Sequence, residues 1–122
     1  MSLKLEMEQM SGYLAARFTG IGSLRDVSQQ FELIAERCKP TNRDKLLIDT
    51  TGFEAEISFM DRFYLEESSE IFTRYGIKVA FVGRPEQLYP PQQKFALYEA
   101  RNRGIDVWTF TDFKEAEEWL FK

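Results

Sequence analysis

The sequence predicts a single α/β domain over residues 1–122: a mixed, mostly parallel sheet of about five strands, opened by an amino-terminal β-hairpin and packed with about four helices. Three observations lead there. Helix-like and strand-like segments alternate through most of the chain, the pattern that specifies a parallel sheet with helices laid on it. Two short runs are apolar without alternation, as strands buried on both faces are. Capping boxes, glycines and prolines then mark where the elements start and stop.

The elements follow in order. Residues 3–8 set Leu3, Leu5 and Met7 against Lys4, Glu6 and Glu8, the period-two pattern of a strand with one solvated face. Ser11-Gly12 is a turn, and residues 13–19 form the second strand of the hairpin. Gly20-Ile21-Gly22 is expected to break that strand, and Ser23-Leu24-Arg25-Asp26 has the form of a capping box. The helix it opens carries Leu24, Val27, Phe31, Ile34, Ala35 and Cys38 on one stripe and stops at Pro40.

Residues 45–49 hold Leu46-Leu47-Ile48 and read as a central strand ended by Thr50-Thr51-Gly52. The longest helix is expected over residues 58–75, with Ser58 and Asp61 as a capping box and Gly76 as its stop. Residues 77–82 are a second buried strand, followed by an irregular stretch over 83–91. Pro91 suits the first turn of a helix that Gly104 closes, and residues 105–110 form the last strand. Asp112 with Glu115 caps a terminal helix whose expected inner face is Phe113, Ala116, Trp119 and Leu120.

Composition bounds the function. Apolar residues make up 43% of the chain, enough for a packed core. The net charge of −4 supplies no concentrated positive field, which argues against nucleic acid as a partner. Cys38 is the single cysteine, so a disulfide scaffold is excluded. No stretch has the length of a membrane span, and the acidic residues near the amino terminus do not suit a secretory signal. The expected compartment is the cytoplasm.

Three stretches stand out: Leu46-Leu47-Ile48-Asp49 leading to Thr51 and Phe53; Val79-Ala80-Phe81-Val82-Gly83; and Asn102-Arg103-Gly104-Ile105 with Phe110-Thr111-Asp112, Glu115-Ala116 and Trp119-Leu120. Together they resemble the STAS family, and within it the SpoIIAA-like proteins with their SEC14-like relatives. The resemblance covers nearly the whole chain and rests mostly on packing motifs. It implies a non-enzymatic regulatory domain that binds a protein partner, a nucleotide or a lipid-like molecule. In the anti-sigma-factor antagonists of the family, a serine in an Asp-Ser-Ser-Gly motif at the start of the second helix is phosphorylated. The corresponding stretch here is Glu56-Ile57-Ser58-Phe59, which keeps the serine alone.

Candidate sites follow from position and chemistry. Asp49, Thr50 and Thr51 end a central strand, where open α/β sheets gather ligands, and Arg84 holds the matching place on the next strand, suited to an anion. The plainer roles are that Asp49 caps local backbone, the threonines shape a turn, and Arg84 is a solvated arginine near Glu86. Tyr89 lies on the 83–91 loop, where it could line or cover an apolar pocket, or fold onto the core. Ser58 is an N-cap or a phospho-acceptor. The helix from Ser58 has more apolar residues than one stripe uses, so Phe59, Phe63 and Tyr64 are candidates for a partner interface or a homodimer contact.

Catalysis finds little support. The chain has no histidine, the usual general base and commonest metal ligand. Cys38 falls on a buried stripe rather than in a nucleophile's setting. Asp49, Glu54, Glu56 and Asp61 match no metal-ligand spacing, and Gly20-Ile21-Gly22 lacks the Lys-Ser/Thr of a phosphate loop. No catalytic residue, metal or cofactor is expected. Two functions remain: a protein-interaction module, or a small carrier that holds an apolar or anionic ligand near Asp49, Arg84 and Tyr89.

Overall fold

The computed structural model describes residues 3–38, 44–56, 67–68, 70–85 and 106–122. Their strands are β1 (Lys4–Gln9), β2 (Leu14–Ser23), β3 (Lys45–Glu56), β4 (Lys78–Val82) and β5 (Val107–Phe110). Their helices are α1 (Leu24–Gln29), α2 (Phe31–Cys38), α3 (Glu70–Arg74) and α4 (Phe113–Leu120). The strands lie in sequence order, β1-β2-β3-β4-β5, antiparallel between β1 and β2 and parallel thereafter. The mixed sheet and its opening hairpin are those the sequence predicts. The expected helix over 91–103 and the 83–91 loop beyond Pro85 lie outside the described residues.

The two faces of the sheet are covered differently. Leu14, Ala16 and Phe18 of β2, Leu46, Ile48 and Phe53 of β3, and Val79 and Val107 pack with Val27, Phe31, Ile34, Ala35, Cys38 and Phe72 from α1, α2 and α3. Phe31 and Phe72 stack tilted at 5.0 Å between centroids, tying α2 to α3. Each fully buried Phe stabilises the fold by roughly 1.5–3 kcal/mol, so these rings dominate this layer. On the other face α4 lays Ala116 and Leu120 onto Tyr13, Leu47, Ala80 and Val82. The run Leu46-Leu47-Ile48 is buried on both faces because each layer needs part of it.

Four expectations are corrected. First, β2 does not break at Gly20-Ile21-Gly22. It pairs with β3 through Ser23↔Glu56, since the facing strand offers backbone partners that local sequence cannot reveal. Second, β3 does not end at Thr50-Thr51-Gly52; it runs to Glu56 and outreaches β4, whose pairing stops at Asp49↔Val82. Third, the first helix is two helices. The capping box at Ser23 and Asp26 forms as read, but Ser28 donates its hydroxyl to the Arg25 carbonyl at 2.8 Å. A serine bonding back in this way competes with the helical ladder, and the chain turns at Gln30 before α2 resumes.

Fourth, Phe113 is 42% exposed, while Ala116 and Leu120 are buried and Trp119 half-buried. A helical side chain leans toward the amino terminus, so at the first position it projects off the helix end. The stop at Gly76 is as expected. Gly76 adopts φ +68, Ile77 N–H bonds the Phe72 carbonyl at 2.8 Å, and Gly76 N–H bonds the Thr73 carbonyl at 3.0 Å. This double closure needs a left-handed residue, which glycine supplies without a Cβ penalty.

Candidate functional site

At the carboxyl ends of β3 and β4 the sheet narrows to a two-stranded ribbon of β2 and β3. The transition is a bulge. Arg17 pairs with Asp49 and Thr19 with Gly52, so Phe18 alone stands opposite Thr50 and Thr51. The Asp49 carboxylate makes the bulge: Oδ1 accepts the Thr51 N–H at 2.9 Å and its hydroxyl at 2.7 Å. A short acidic side chain that captures the amide two residues on is a local alternative to the ladder.

The bulge has a consequence for the core. Side chains on a strand alternate, so one inserted residue exchanges the faces beyond it. Leu46 and Ile48 face the α1/α2 layer from even positions, and Phe53 joins them there from an odd one. Asp49 therefore shapes the core while its carboxylate points to the opposite face, beside Leu47. It is 5% exposed, and Arg17 Nε completes its shell at 3.2 Å from Oδ2.

Thr50 donates its hydroxyl to the Val82 carbonyl at 3.1 Å, continuing the link between β3 and β4 past the last ladder pair. Arg84 leaves the end of β4 and reaches back over the ribbon. Its Nη2 donates to the Phe53 carbonyl at 3.1 Å, and its Nη1 lies 3.1 Å from Glu54 Oε1. Among the described residues Arg84 thus meets the Glu54 carboxylate of the neighbouring strand, while Glu86, which the sequence suggested, lies outside them. Asp49 caps local backbone, as its plainer role had it, but Thr50 and Thr51 shape a bulge inside a strand rather than a turn.

Asp49, Thr50, Thr51 and Arg84 are accordingly brought together at one end of the sheet. Ser58, Phe59, Phe63, Tyr64 and Tyr89 lie outside the described residues. Sequence reasoning missed Arg17 and weighed Glu54 only as a metal ligand. Arg17 carried one legible signal, its place on the same strand face as Tyr13 and Ala15, but its partner depends on register. Among the described residues no three His, Cys, Asp or Glu side chains gather as a metal site would require. The carboxylates of Asp49 and Glu54 each meet an arginine instead. Among the same residues no helix is long and apolar enough to cross a membrane.

At the opposite end of the sheet α4 is clasped by three side chains. Tyr13 donates its hydroxyl to Glu117 Oε2 at 2.8 Å, and its ring meets Phe121 edge-on at 6.1 Å. Burial first, then the Glu117 bond, pushes the Tyr13 phenol up to about 12. Lys78 donates Nζ to the Trp119 carbonyl at 2.7 Å and lies 4.4 Å from that residue's ring centroid. Lys45 sits 5.8 Å over the Phe121 ring.

No family model and no curated protein matches the chain. Solved structures do. An anti-sigma factor antagonist from Mycobacterium paratuberculosis superposes with a TM-score of 0.63 at 12% identity, over 99% of this chain and 96% of that one. An uncharacterised DUF3478 protein with a SpoIIAA-like fold, from Shewanella loihica PV-4, superposes with a TM-score of 0.55 at 20% identity, over 97% and 93%. At these identities the likeness is one of architecture, and it bears out the resemblance carried by Leu46–Asp49 and Val79–Gly83 at the level of fold. The chain has a SpoIIAA-like fold.

Proposed function

We propose that the chain is a non-enzymatic regulatory module that binds a protein partner at the carboxyl ends of β3 and β4. The observation that carries this is how the charges there are spent. Asp49 is engaged by Arg17 and Thr51, and Arg84 by Glu54 and the Phe53 carbonyl, so the cluster is built to hold a shape. Beside it on β2, Ile21 is 58% exposed opposite Glu54, an apolar contact next to the Glu54–Arg84 ion pair, of the kind a protein interface covers. The fold is shared with an anti-sigma factor antagonist, by its name a protein that opposes another protein. Phosphorylation of Ser58 and a contact through Phe59, Phe63 and Tyr64 belong to the same regulatory reading.

The test is native mass spectrometry of the protein isolated from its own cells, beside the variants Ile21→Asp and Arg84→Ala. A bound polypeptide that both substitutions release is the expected result. A stoichiometric small molecule in its place would overturn the proposal in favour of an apolar or anionic ligand. So would a polypeptide whose binding ignores both changes.

A further inference from the structure

Among the described residues β1 pairs on one side only, with β2, and forms the edge of the sheet. An edge strand offers a row of backbone donors and acceptors to any strand that can lie beside it. Charged side chains usually discourage this. On β1 the solvated face carries Lys4, Glu6 and Glu8, and Lys4 lies 3.3 Å from Glu6, with side chains 70% and 57% exposed. Leu3, Leu5 and Met7 occupy the other face, packed partly against the core.

We propose that this edge is a self-complementary interface, on which two copies of the chain pair antiparallel through β1 about a two-fold axis at Leu5. The register follows from the side chains. Centred on Leu5, the pairing sets Leu5 against Leu5, Leu3 against Met7 and Lys4 against Glu6, each of the last two twice by symmetry. Apolar residues then meet apolar ones, Lys4 and Glu6 each meet the opposite charge, and no like charges face each other. Centring on Glu6 would set Glu6 against itself, and centring on Met7 would set Glu6 against Glu8. The charges that repel a chance strand therefore select a second copy in one register. The interface would join the two five-stranded sheets into one, with a cluster of two ammonium and two carboxylate groups on its solvated face.

Sedimentation velocity over a wide concentration range tests this without any ligand. The expected result is a reversible dimer that Lys4→Glu or Glu6→Lys each weakens by about tenfold or more, since both symmetry-related pairs become repulsive. Mixed together, the two single variants restore opposite charges at each contact and form a heterodimer, and Lys4→Glu with Glu6→Lys in one chain restores the homodimer. Both side chains are exposed, so circular dichroism should report an unchanged fold. A chain monomeric at every concentration would overturn the inference, and so would a dimer indifferent to the charge reversals. Neither result depends on whether a partner docks at the other end of β3.

Discussion

Arg17 and Asp49 meet across β2 and β3 with Nε 3.2 Å from Oδ2, yet the two side chains differ sharply in exposure, 60% against 7%. A solvated arginine contributes little through its charge, about 0–1 kcal/mol for an exposed pair. The two bonds that Asp49 accepts from Thr51 are shielded and hold the bulge. Asp49→Ala is therefore expected to cost about 1–3 kcal/mol, because it strips a part-buried amide and hydroxyl of their acceptor. Arg17→Ala should cost less than about 1 kcal/mol, and Asp49→Asn, which keeps an acceptor oxygen, should fall between. Urea unfolding of the three variants measures the order. Equal losses at Arg17 and Asp49 would mean that the ion pair, and not the bulge, carries the stability.

Tyr13 makes the alkaline limb of stability specific. Its phenol is raised from 10.0 to about 12 in the folded chain, by burial and then by Glu117. A raised value means that the folded state holds the proton more tightly than the unfolded one. The stabilisation is complete below the unfolded value and is lost as pH rises from about 10 through about 12. Tyr13→Phe keeps the ring and removes the titration, so its unfolding free energy should decline less over that interval than the wild type's. Parallel denaturation curves for both proteins across the interval give the difference directly.

Much of this architecture could be read from residue pattern, and what could not has a common cause. Leu3-Leu5-Met7 and Leu46-Leu47-Ile48 announced their strands because burial is written into side-chain type at the right period. Gly20, Gly22 and the Thr50-Thr51-Gly52 run read as breakers because a glycine's local preference is visible, whereas the strand that rescues it lies some thirty residues away in sequence. The site divided likewise. Asp49 was legible as the polar close of an apolar run, and Arg84 from its place just past the end of β4. Their partners Arg17 and Glu54 were not, since the first depends on register across β2 and β3 and the second on where a side chain folds back.

Lys78 supplies from the sheet what α4 lacks in its own sequence. The last turn of α4 has no basic residue, and the Lys78 ammonium both donates to the Trp119 carbonyl and lies against that residue's ring. A cation at a helix carboxyl end and a half-buried cation–π contact each contribute about 0.5–1 kcal/mol. Lys78→Met keeps the aliphatic stem and removes both. It should cost about 1–2 kcal/mol in chemical denaturation. A shift in tryptophan emission in the native state, as the charge leaves the Trp119 ring, would assign the loss to this contact.

Cys38 closes α2 with its side chain 1% exposed, and burial raises its thiol from 9.0 to about 11. Only the thiolate reacts readily, so a two-unit rise alone should slow modification near neutral pH by about a hundredfold. The reagent must also wait for α2 to lift Phe31, Ile34 and Cys38 out of the layer they share with Leu46, Ile48 and Phe72, which adds the cost of local opening. A disulfide reagent should therefore label the native chain at least about a hundredfold more slowly than the urea-unfolded chain at the same pH. Phe31→Ala, which loosens the layer over Cys38, should narrow that gap by favouring the opening step. Rapid labelling of the wild type under native conditions would show that α2 opens easily, and would place the least stable part of the fold on the α1/α2 layer.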